Sequence, residues 1–192
     1  MTVADPRSTA RLGLMESYRT LVRSDWIDAT GRSMDPSIPA GSRLLVDFGR
    51  PAQRRGEVLV FRRGERVLAH RLVGRRTTPD GEQLIAKGDG EVFFDAPLTA
   101  GEVLGVVRLA TLPDGRTEDL HARPRRDAAI ATASWWSGRA AGFWSRRLRR
   151  VPATARLRRA ALTSLVDLSR VPTRVLVETL PRSIRGQAGG RR

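Results

Sequence analysis

A chain of 192 residues can bury one ordinary core with an appendage, which excludes a large multidomain assembly. It has no cysteine, so disulfides and thiolate chemistry are excluded, and two histidines leave little for a transition-metal site; no metal and no cofactor is expected. The net charge of +15 is unevenly spread: from His121 onward seventeen arginines face only Asp127, Asp167 and Glu178, whereas residues 1–120 are close to balance. A near-neutral body with a cationic tail attracts polyanions through the tail.

Residues 1–28 read as a short helical lead-in. Leu12, Leu14, Met15, Tyr18, Leu21 and Val22 recur at loosely helical spacing over 8–24, while Trp26-Ile27 is open to starting a strand. The segment has no apolar run long enough for a signal peptide or a spanning helix, which predicts a cytoplasmic protein, or one peripheral on the cytoplasmic face of a membrane. From Arg43 the pattern changes to short β-rich runs: 44–46, 58–61, 67–73, 84–86 and 103–107. Turns rich in Gly, Pro or charge divide them, as at Gly49-Arg50-Pro51 and Thr78-Pro79-Asp80-Gly81, and their spacing predicts a closed or folded-over sheet over 29–118. After His121 the strand pattern stops. Residues 125–150 are expected to be helical, Pro152 interrupts them, and 154–169 form a second candidate helix before Pro172 and Val175-Leu176-Val177.

Three polar positions stand out against this frame. Ser33 lies in the turn Gly31-Arg32-Ser33-Met34-Asp35-Pro36, His70 lies in the strand run Val67–Val73, and Asp89 lies in Lys87-Gly88-Asp89-Gly90, with Asp95 shortly after. Singly these are a turn-forming serine, a core histidine and a solvated turn aspartate. Together they are the side-chain types that make a hydroxyl nucleophilic near neutral pH: the base takes its proton, and a carboxylate orients the base.

The three segments, in this order, resemble the signal-peptidase family of serine proteases, and its Ser-His branch more closely than its Ser-Lys branch. The resemblance covers roughly residues 29–108. It implies a mainly β, signal-peptidase/repressor-type folded sheet as the catalytic core, with an α-helical, Arg-rich extension over 119–192. It also implies a serine endopeptidase that cleaves after small residues. Ser33 would be the nucleophile and His70 the base, with Asp89 as first choice and Asp95 as second choice to orient it. Gly31 would let backbone approach closely so that the Ser33 amide serves an oxyanion hole, Met34 would line the cleft, and Pro36 would help fix the turn. Lys87 is the sole lysine, and a Ser-Lys pair could use only that residue; with His70 in place it reads as structural or substrate-steering. The alternative functions are a self-cleaving repressor-like protein and a noncatalytic protein of the same fold that binds nucleic acid or membrane through its basic tail.

The tail places Trp135, Trp136, Phe143 and Trp144 among Arg139, Arg146, Arg147, Arg149 and Arg150. This composition suits a membrane interface, with guanidinium groups at the level of lipid phosphates. The expected partners are therefore a protein or peptide substrate and an anionic membrane surface. Nucleic acid, reached through phosphate contacts and base stacking, ranks behind them. A third arrangement would pack the aromatics on the β-body and leave only arginine in water.

Overall fold

The structure, a computed structural model, describes residues 23–150, with side chains up to Arg147. The helix expected over 8–24 lies outside the described residues except at its end, where Ser24 already begins a strand; the candidate helix over 154–169 and the stretch after Pro172 also lie outside. Seven strands are present among the described residues: β1 Ser24–Ala29, β2 Ser42–Phe48, β3 Val58–Arg63, β4 Arg66–Thr78, β5 Gly81–Lys87, β6 Val103–Thr111 and β7 Thr117–Asp119. A 3₁₀ turn at Ala100–Glu102 leads into β6, and one helix, α1 Pro124–Arg150, follows β7. The fold is mainly antiparallel β, as the runs and turns predict.

The strands form one sheet in the order β1-β2-β6-β3-β4-β5, with β7 also on β6. Every pairing is antiparallel. Side chains alternate between faces along a strand, and β3 uses both. Val58 and Val60 enter one apolar cluster with Met34, Ile38, Leu44, Val46 and Leu104, whereas Leu59 and Phe61 enter the other with Leu72, Leu84, Ala86 and Leu98. That two-sided burial is why this stretch reads as an unbroken apolar run. Register shifts at Leu45/Val46 and Val60/Phe61 interrupt the ladders that flank β6, the kind of bulge that bends a sheet.

Helix α1 packs on β4. Its buried side is a row of mostly small residues, Ile130, Ala131, Ser134, Ser137 and Ala141, at helical spacing. Trp136, Phe143 and Trp144 face outward, which excludes for them the arrangement in which the aromatics pack on the body. Trp135 alone of the four turns toward the body, where its ring meets Phe94 at 5.3 Å between centroids.

Two glycines of α1 make opposite demands. A Cβ at Gly138 would lie 2.6 Å from the Phe94 ring, whereas one at Gly142 would meet only the Arg146 guanidinium at 3.6 Å. Both substitutions to alanine gain helix propensity of about 1 kcal/mol. Gly142→Ala is expected to realise that gain in chemical denaturation. Gly138→Ala is expected to lose stability, because displacing a packed ring costs about 1–3 kcal/mol.

Candidate active site

The chain leaves β1 at Ala29 and folds residues 32–37 into a tight turn before β2. Asp35 N–H donates to the Arg32 carbonyl at 3.1 Å and Ile38 N–H to the Met34 carbonyl at 3.0 Å. Gly41 N–H closes the loop on the Ala29 carbonyl at 2.7 Å, and the Asp35–Pro36 peptide is cis. Met34 and Ile38 sink into the core and fix the turn from beneath. Ser33, beside Met34, is thereby carried at the wall of an open cleft of about 820 Å³.

His70 reaches Ser33 from β4. Its Nε2 lies 2.8 Å from Ser33 Oγ, and its Nδ1 lies 2.7 Å from Asp95 Oδ2. A carboxylate accepts from Nδ1–H, which leaves the Nε2 lone pair to accept from the serine hydroxyl. Phe61 packs edge-on against the imidazole at 5.8 Å between centroids. This geometry can transfer a proton from Oγ to Nε2 while Asp95 holds the tautomer and balances the imidazolium.

Asp95, and not the first choice Asp89, is the carboxylate at His70. The reason lies in strand alternation and in one long-range clip. His70 and Arg71 are successive residues of β4 and point to opposite faces. Asp89 meets Arg71: Nε donates to Oδ1 at 2.9 Å and Nη2 to Oδ2 at 2.7 Å, with both side chains buried. Asp95 is returned to His70 because the loop after β5 is pinned back on that strand. Leu84 and Leu98 exchange backbone hydrogen bonds of 2.8 Å, and Asp95 N–H donates to the Ala86 carbonyl at 3.0 Å.

Asp89 instead braces the serine turn. It accepts a short hydrogen bond from Ser37 Oγ, and its neighbour Gly90 donates N–H to the Ser33 carbonyl at 2.8 Å. Gly88 must lack a side chain, since a Cβ there would lie 2.5 Å from the Ser33 carbonyl oxygen and 3.2 Å from His70 Nε2. Arg71 extends the network outward, donating Nη1 to the Gly56 carbonyl at 2.7 Å and to Asp127 of α1 at 3.0 Å. Burial alone would raise the Asp89 carboxyl, but the Arg71 charge and the Arg71 and Ser37 hydrogen bonds outweigh it and hold it low. At Asp127 burial wins over the attraction of Arg71, and its carboxyl is held above the ordinary range. Ser37, Arg71 and Asp127 were not singled out in the sequence. Arg71 is legible only as the residue after the histidine, and nothing local signals Asp127.

The remaining site residues fall as follows. Gly31 and Met34 line the cleft with Ser33, and no atom lies within 4 Å of a Cβ built on Gly31, so that side is open to an incoming chain. Pro36 sits within the turn behind Ser33, after the cis bond. Lys87 is buried, with Nζ 3.4 Å from the Gly88 carbonyl, while the nitrogen at Ser33 Oγ is Nε2 of His70. His121 lies apart, against Arg50. Among the described residues no group of three or more His, Cys, Asp or Glu side chains could hold a metal ion.

The two aspartates should separate experimentally. Asp89→Asn leaves a buried guanidinium short of a partner, and breaking such a pair costs about 3–5 kcal/mol. Since the folded value of Asp89 lies below its ordinary 3.8, its contribution is complete above the unfolded value and is lost as pH falls through the folded one. The acid-unfolding limb below pH 3.8 is therefore expected to flatten in Asp89→Asn, as read by circular dichroism against pH. Asp95→Asn is expected to leave thermal stability nearly unchanged. Comparison of the chain with protein-family models, with curated proteins and with solved structures gives no match.

Proposed function

We propose that the protein is a serine endopeptidase of signal-peptidase type, in which Ser33, His70 and Asp95 carry the chemistry. The observation that carries this reading is the continuous chain of contacts from Asp95 through His70 to a serine at a cleft wall. In the first step Ser33 Oγ attacks the peptide carbonyl carbon while His70 Nε2 takes the hydroxyl proton. The tetrahedral oxyanion collapses, the C–N bond breaks, and His70 returns the proton to the leaving amine. Water then attacks the acyl-enzyme, giving a proton to His70, which passes it to Ser33 Oγ as the acid leaves. The backbone amide of Ser33 is the candidate oxyanion donor.

The sheet supports a peptide substrate. Among the described residues β1 pairs on one side only, with β2, and residues 66–70 of β4 pair with β3 but not with β5, whose register begins at Arg71. The cleft lies between these edges, lined by Trp26–Thr30 on one side and Glu65–Ala69 on the other. A peptide in extended form adds a strand there, taking main-chain hydrogen bonds from the edges and setting alternate side chains into the cleft. Ile27, Ala29, Met34, Ile38, Leu44 and Ala69 give that cleft an apolar floor beside Ser33. The side chain just before the cleaved bond would be small, such as alanine, in keeping with the resemblance.

Cleavage of a peptide library rich in Ala-x-Ala sites tests the reading. Ser33→Ala and His70→Ala are each expected to lower the rate by about 10³-fold or more, and the double variant to be no slower than either alone, since the pair acts as a unit. Asp95→Asn is expected to fall about as far, by about 10³-fold. Cleavage that persists in Ser33→Ala overturns the assignment. Loss confined to the chain's own cleavage would point to a self-processing protein, and silence of the wild type to a noncatalytic one.

A further inference from the structure

The outward face of α1 is apolar where a solvent-facing helix surface is ordinarily polar. Trp136 is 65% exposed, Phe143 53% and Trp144 48%, and Phe93 of the loop after β5 stands beside them at 50%. These four rings, with Phe94, line a single concavity of about 660 Å³. Residues 136, 139, 140, 143 and 144 recur at helical spacing, so the rings and Arg139 share one face. A contiguous exposed apolar patch of this kind marks an interaction surface.

Its occupant follows from charge and shape. Among the described residues the only charged side chains lining the concavity are Arg139 and Arg146, with Arg147 exposed next to them, and no acidic residue lines it. Rings that gain from an apolar medium, rimmed by guanidinium groups, match the boundary between acyl chains and phosphates of an anionic bilayer. Single-stranded nucleic acid fits less well, because it wants separate flat platforms for successive bases. Phe143 and Trp144 instead meet edge to face, at 82° between planes and 5.7 Å between centroids, and form a wedge. Among the described residues no helix is long and apolar enough to cross a membrane, so the contact is interfacial. We propose that the Phe93, Trp136, Phe143 and Trp144 patch, rimmed by Arg139 and Arg146, inserts into the surface of an anionic membrane. Phe93 stands two residues from Asp95, so the same loop would carry one residue of the docking surface and the carboxylate that faces His70.

The test is binding of the full chain to vesicles of phosphatidylglycerol and phosphatidylcholine, against phosphatidylcholine alone, at about 0.15 M salt, where a Debye length of about 8 Å leaves the attraction between guanidinium groups and adjoining lipid phosphates in force. Binding is read by sedimentation and by quenching of tryptophan emission with brominated lipid, and does not depend on any peptidase activity. The expected result is binding to the anionic vesicles with quenching, a loss of at least tenfold in Trp136→Ser/Phe143→Ser/Trp144→Ser, and retained binding with reduced quenching in Trp136→Phe/Trp144→Phe. Undiminished binding of the triple serine variant would overturn the proposal in favour of attraction by the arginine-rich segments alone. So would equal binding to both vesicle types, absence of quenching, or displacement of the vesicles by a single-stranded oligonucleotide that itself quenches the same two tryptophans.

Discussion

A guanidinium taken out of water is stable only if its charge and its donors are met, and Arg71 meets both through three separate parts of the chain. Asp89 supplies a two-point carboxylate from the loop after β5, Asp127 a second carboxylate from α1, and Gly56 a carbonyl from the approach to β3. Each of these elements is held in place by the same buried side chain. Because Asp89 and Gly90 in turn hold the Ser33 turn, the position of the serine hydroxyl depends on an ion pair it does not touch. Such a cluster contributes less to net stability than its Coulomb energy suggests, since desolvation offsets most of it; what it supplies is a fixed geometry.

His70 and Arg71 divide the labour of one strand by the simplest rule of β structure. Alternation sends the imidazole to the cleft and the guanidinium to the opposite side, so a single β4 backbone carries both the ring that meets Ser33 and the brace of the turn that holds Ser33. Two carboxylates from one loop then serve the two faces. Asp89 is held ionised by its cationic partner, and Asp95 faces the imidazole at the rim of the site, where its side chain remains one-fifth exposed. Their environments, and not their sequence neighbourhoods, distinguish them.

Much of this was legible in the chain. The five apolar runs became β2 to β6, and the helix expected over 125–150 begins at Pro124, because periodicity and Gly/Pro punctuation are local signals. Ser33 and His70 could be singled out from their segments, and the structure brings them within a hydrogen bond. What escaped is what depends on distant contacts. Trp26-Ile27 is open to either reading because Asp25 and Asp28 leave only two apolar residues together, and the pairing with β2 is what makes the segment a strand. β7 is three residues long, too short to carry a period. The choice between Asp89 and Asp95 turns on the Leu84–Leu98 clip, which no local pattern encodes. The aromatic face of α1 was visible as a composition, but its direction was not. Large apolar residues read as core, whereas here the small side of the helix is buried against the body and the rings are left outside.

The contact between Asp127 and Arg71 also ties the serine turn to the helix that follows the sheet. Lifting α1 from β4 would take one of the two carboxylates from Arg71 and uncover the face of β4 beneath it. Asp89 would then be left to hold that guanidinium, and Asp89 is the group that accepts from Ser37 in the serine turn. The helix that carries the exposed aromatic face is in this way mechanically joined to the position of Ser33 without touching it.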